Sequence, residues 1–195
     1  MNKSKINEVI RNRRSIYPHQ FNQKQISEEI ISILLENANL APTHKLTQPW
    51  RFKVIRGKAK NQLGKFLSDV YSKENLIKKN IDYKLKKIRK KCKDSSVILM
   101  ICMSRDPKKS VPEWEEIAST AMSVQNIWLS CSQFGIGCYW SSPSSINKID
   151  RFTHLNKGER CFGFLYMGYY NHNENIDFKR QSIEEKVEWI NNFNI

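Results

Sequence analysis

Val97-Ile98-Leu99-Met100-Ile101-Cys102-Met103 is an unbroken apolar run. It does not alternate, so it predicts a central strand buried on both faces; a strand with one wet face would interleave polar residues. Such a strand needs cover above and below. Trp50 to Ile55 (W-R-F-K-V-I) does alternate and predicts a half-buried strand ended by Gly57. Cys161 to Tyr169 (C-F-G-F-L-Y-M-G-Y) predicts another buried strand. Ile136 to Trp140 predicts a short one that runs into Ser141-Ser142-Pro143.

The cover is helical. Residues 4–14 place Ile6, Val9 and Ile10 at helical spacing, with Ser4 as cap. Ser27 starts a second helix whose acidic first turn suits the dipole, whose apolar residues are Ile30, Ile31, Ile33, Leu34 and Leu35, and which Pro42 stops. From Lys58 to about Lys93 one helical pattern runs through Leu63, Phe66, Leu67 and Val70, then Ile77, Ile81, Leu85, Ile88 and Cys92. Pro112 opens a long helix to about Phe134, with Gly135 as its cap. Its expected core stripe is Ala118, Ala121, Met122, Gln125, Trp128 and Leu129. Residues 145–152 predict a short helix and Ile183 to Ile190 an amphipathic one. The order α, α, β, α, β, α, β, α, β, α is that of an α+β or α/β fold, a small sheet with helices packed on it.

The 195 residues carry no repeat and no Pro/Gly-rich linker, which predicts a single domain over 1–195 with room for a sizeable core. No apolar stretch is long enough to span a bilayer, and Met1 to Arg14 has no apolar segment of a secretory signal, so the expected location is cytoplasmic. Cys92, Cys102, Cys131, Cys138 and Cys161 contain no C-x-x-C pair and are expected reduced and mostly buried. His19, His44, His154 and His172 lack metal-ligand spacing, so no metal is expected. Glu115-Glu116 and Glu184-Glu185 read as solvated faces. Thirty-three Lys and Arg against nineteen Asp and Glu leave +14, which suits nucleic acid, an anionic surface, a phosphorylated ligand or solubility alone.

Four segments carry chemistry. Arg13-Arg14-Ser15, at the exit of the first helix, offers two guanidinium groups and a hydroxyl that suit a phosphate, or that complement the helix dipole. Ala41-Pro42-Thr43-His44 to Gln48-Pro49-Trp50 is a stiff loop able to present Thr43 and His44 to a flat ligand, or a plain connector. Gly135 to Pro143 ends a strand in Trp140, Ser141 and Ser142, a common ligand position in layered folds. Its G-x-G is by itself a weak nucleotide signal. Lys179-Arg180 is a second cation pair, which meets the Arg13 cluster or forms a solvated turn. No hydrolase or phosphate-loop motif is present.

In this order the segments resemble the nitroreductase family of flavin enzymes. The likeness rests on R-R-S, A-P-T-H-K-x-x-Q-P-W-R-F, the long helix ending in G-I-G-C-Y-W, the F-G-F-L-Y-M-G-Y strand and the K-R-x-S-I-E-E-K-V-E-W-I tail, from about residue 6 to 191. It implies an α+β fold with a small, mostly antiparallel central sheet flanked by helices. It also implies a homodimer with FMN at its interface. By that resemblance Arg13, Arg14 and Ser15 bind the FMN phosphate or ribityl chain, and Lys179 and Arg180 add charge there. Pro42, Thr43 and His44 come from the partner subunit, and Trp140, Ser141 and Ser142 border the ring. The implied reaction is ping-pong: NADH or NADPH gives a hydride to flavin N5, and a nitroaromatic, quinone or similar acceptor then takes it. FMN carries the chemistry, so no catalytic side chain is required. Tyr17 and Leu46 depart from the family, which more often has a basic and a polar residue there. Two alternatives are a flavin-binding sensor without turnover and a nucleic-acid-binding module. The second rests on residues 73–93, where ten Lys and Arg face only Glu74 and Asp82. The Ile/Leu stripe of that segment instead predicts a helix with one packed and one solvated face. Neither a nucleic-acid nor a membrane partner is expected.

Overall fold

The structure, a computed structural model, describes residues 5–75, 80–171 and 180–191. The apolar run is strand β2, Val97–Ser104, and its seven residues from Val97 to Met103 are each at most 1% exposed. On one side it pairs with Trp50–Ile55 (β1), and on the other with Glu159–Tyr169 (β4). Ile136–Ser141 (β3) pairs with the far edge of β4. The order is β1-β2-β4-β3 and every pair is antiparallel, which makes the fold α+β.

The two faces have separate cores. Val97, Leu99, Ile101, Leu165 and Met167 pack beneath Glu28–Asn39 (α2) and Glu113–Cys131 (α5). Ile98, Met100, Cys102, Phe164 and Tyr166 pack beneath Lys58–Glu74 (α3) and Ile81–Asp94 (α4). Burial of each large apolar side chain stabilises the fold by roughly 1.5–3 kcal/mol, so the doubly covered β2 is its anchor. A bulge between Ile101 and Cys102 shifts the register, pairing Ile101 with Gly163 but Cys102 with Cys161. Ser27 caps α2 by accepting from the Ile30 amide at 3.4 Å, and Gly135 closes the turn after α5 with φ 65°.

The single helix expected over 58–93 is two helices. α3 stops at Glu74, where Asn75 Nδ2 donates to the Tyr71 carbonyl at 2.8 Å, and α4 begins after Asn80, which is left-handed at φ 64°. The apolar stripe continues across the break because both helices lie on the same sheet face, so periodicity alone does not reveal the reversal. Gly64 lets them approach: a Cβ there would lie 3.1 Å from Cys92 Cβ and 3.3 Å from Arg89 Cα. Ile77 and the Ser4 cap lie outside the described residues.

The expected stripe Ala118, Ala121, Met122, Gln125 of α5 does not enter the core. The sheet takes Val124 and Ile127 together with the small residues Ser119, Thr120, Ser123 and Cys131, which let α5 sit close, and Ala121, Met122 and Gln125 are exposed. The tail forms one 3-10 turn, Glu184–Lys186, in place of the expected helix over 183–190. Ile183, Val187, Trp189 and Ile190 are exposed, and a short helix with nothing to pack on is not stable. The expected helix over 145–152 is a 3-10 helix, Ser144–Arg151. All five cysteines are free and buried.

Candidate active site

Lys5–Asn12 (α1) ends where the chain turns onto the edge of β3. There Ser15 bridges Cys138, and the Ile16 amide donates to the Cys138 carbonyl at 3.1 Å. Gly137 makes this crossing possible, because a Cβ at that position would lie 2.6 Å from Ile16 Cβ. Trp128 of α5 then holds the arginines. Its indole N–H donates to the Arg14 carbonyl at 3.0 Å, and the Arg13 guanidinium lies 4.9 Å from its ring centre. Arg13, Arg14 and Arg180 line one cavity of about 430 Å³ with Arg11. Burial lowers the Arg13 pKa, and the neighbouring positive charges of Arg180 and Arg14 lower it further. The two cation segments singled out in the sequence therefore meet in space. Lys179 lies outside the described residues.

From this cluster β3 runs three residues, about 10 Å, from Cys138 to Ser141. Trp140 is anchored by its indole N–H, which donates to the Phe162 carbonyl at 3.2 Å. The Ser141 carbonyl presses on Gly163, where a Cβ would come within 2.4 Å and φ is 130°, so only glycine fits. Lys91 of α4 donates to Ser141 Oγ at 3.2 Å while its ammonium lies 4.7 Å from the Tyr166 ring and 5.6 Å from the Tyr139 ring. Burial lowers the pKa of this ammonium. Ser142 is exposed just past the strand end. The sequence reading missed Lys91: it stands in a run of surface lysines, and only the packing of α4 on β3 and β4 sets it apart.

Pro42, Thr43 and His44 sit elsewhere. Thr43 Oγ1 accepts from the Gln48 amide at 3.1 Å, and His44 Nδ1 donates to Glu115 Oε2 at 2.6 Å. Lys45, Leu46 and Gln48 are all left-handed, at φ 50°, 52° and 42°. Strain of this kind persists where the surroundings impose it, commonly at functional sites. Glu115 and Trp128 are thirteen residues apart on α5, about 20 Å. One chain thus keeps the Pro42–His44 loop far from the arginine cavity.

Glu116, read as part of a solvated face, is 1% exposed. It ion-pairs with Arg105 and accepts from the Asp106 amide at 2.9 Å. Arg105 also donates to the Val111 carbonyl at 2.6 Å, so this pair closes the loop before α5. Glu184 and Glu185 are exposed as expected. Among the described residues no group of His, Cys, Asp or Glu could hold a metal ion, and no helix is long and apolar enough to cross a membrane.

The family model described as the nitroreductase family matches residues 10–169. The chain is 28% identical over 171 residues to the Bacillus subtilis (strain 168) protein named "Putative NAD(P)H nitroreductase YfhC", covering 85% of this chain and 84% of that one. Its fold is similar to that of a nitroreductase-like family protein from Bacillus cereus, with TM-score 0.83, 25% identity, and coverage of 98% and 99% of the two chains. It is also similar to the FMN-dependent nitroreductase NfnB from Mycobacterium smegmatis, solved in complex with NADPH, with TM-score 0.75, 15% identity, and coverage of 93% and 96%.

Proposed function

The chain belongs to the nitroreductase family, and from that premise we propose that it is an FMN-dependent NAD(P)H oxidoreductase, one domain over 1–195 acting as a homodimer. The carrying observation is the layout along β3: Arg11, Arg13, Arg14 and Arg180 share a cavity at one end, and Lys91 donates to Ser141 at the other, where the neighbouring Trp140 packs on the opposite face of the sheet. FMN has a dianionic phosphate and a flat ring with a polar edge, and this order of charge and surface suits it. The guanidinium groups of Arg13, Arg14 and Arg180, with Lys179 and Ser15, hold the phosphate and its chain; gathering like charges costs energy that an anion offsets. Trp140, Ser141 and Ser142 border the ring, and Lys91 offers an ammonium to its polar edge.

When bound, FMN supplies hydride chemistry by a ping-pong course, from NADH or NADPH to a nitroaromatic, quinone or similar acceptor. The protein binds and orients. Pro42, Thr43 and His44 complete the site from the partner subunit. The 20 Å separation within one chain supports this, and so does the outward stripe of α5 with exposed Trp114, Ile117 and Met122. Apart from Lys91, the described cations of 73–93 lie on the solvated side of α3 and α4, and the segment has no nucleic-acid role.

The test is direct. Purified protein should be yellow, bleach with NADH or NADPH without air, and recover its colour when a quinone is added. A colourless protein that takes up no FMN would sink the reading.

A further inference from the structure

The cations of α4 differ in what they meet. Arg89 pairs with Asp69 at 3.6 Å and Lys90 with Asp94 at 2.8 Å. Lys86 and Lys93 border a groove against α3, on the side away from β3. Lys84 and Lys87 belong to a third flank. Steps of three and four residues align Lys84, Lys87 and Lys91 on one side of the helix, each about one turn, or ~5 Å, from the next. Lys84 and Lys87 are exposed, and among the described residues no carboxylate pairs with either. Their charges act on Lys91, the residue bonded to Ser141. A row of ammonium groups thus descends from solvent to the ring end of the site.

Like charges at this spacing repel and cost helix stability. What such a row offers is attraction for an anion and a path toward the site. Several cations in line suit a ligand with several phosphates along its length better than one with a single carboxylate. NADH and NADPH share a pyrophosphate, and only NADPH adds a phosphate monoester on its adenosine end. We propose that Lys84 and Lys87 are the docking track for the phosphates of the nicotinamide dinucleotide and give this chain a preference for NADPH. This rests on reading the site as one that oxidises a nicotinamide. Lys87, nearer the site, meets the pyrophosphate, and the outer Lys84 meets the additional phosphate.

Steady-state kinetics of the FMN-loaded protein test this, with each nucleotide and a saturating quinone. The comparison sets wild type against Lys84→Gln/Lys87→Gln and against Lys86→Gln/Lys93→Gln on the other flank. The wild type should use NADPH more efficiently than NADH. In Lys84→Gln/Lys87→Gln, kcat/KM for NADPH should fall about tenfold through KM, with kcat kept. The loss with NADH should be smaller, and the salt dependence of NADPH use should flatten. The other pair should leave the NADPH/NADH ratio unchanged. A ratio equal in wild type and Lys84→Gln/Lys87→Gln overturns the track, as does an equal loss in the control pair. A yellow protein reduced by neither nucleotide overturns the parent reading and this inference together. One reduced by both, with the ratio unmoved, overturns this inference alone.

Discussion

Trp128 shows how much a single side chain can organise. Its edge fixes the Arg14 carbonyl and its face takes the Arg13 guanidinium, so one residue of α5 holds both arginines of the R-R-S segment. Glu116 does comparable work for the loop before α5, and its environment makes a sharp prediction. It is buried, paired with Arg105 and bonded to the Asp106 amide. Glu116→Ala leaves a partly buried guanidinium without its carboxylate, and should lower the unfolding free energy by about 3–5 kcal/mol in urea titration. A loss under 1 kcal/mol would place the residue on a solvated face, where composition alone puts it. Nothing in E-W-E-E distinguishes the third glutamate from its neighbours, because burial here depends on Arg105 arriving from the end of β2. Lys91 was illegible for the same reason.

The elements were mostly legible, since their signals are local. The alternation of β1, the unbroken run of β2, the Ser27 cap and the Gly135 stop all report from within their own segments. The reversal between α3 and α4 was not legible, because both halves bury the same kind of stripe against the same face. Gly137 tests how elements position the site. It gives Ile16 room to cross β3, and with it Ser15 and the arginines. Gly137→Ala should destabilise the fold by about 1–3 kcal/mol through overpacking. It should also weaken FMN binding, read by titrating flavin fluorescence. Unchanged affinity would mean that the edge segment does not set the phosphate end.

At the scale of the molecule, the outward apolar stripe of α5 and the exposed tail residues describe a surface that expects company. Met122→Glu, on the exposed face of α5, should yield a monomer by light scattering with helix content retained and FMN lost. A dimer that keeps its flavin would move the interface elsewhere. The sequence by itself determined the layers, the buried central strand, the two cation segments and the family likeness, because each is written in local spacing or in the order of motifs. Tertiary structure alone decided that the sheet is wholly antiparallel and that α5 turns its small residues inward. It also brought Arg180 to Arg13 and set Lys91 apart from its neighbours. Those outcomes depend on contacts between residues far apart in the chain, where a side chain's environment is set by the surface it lands on.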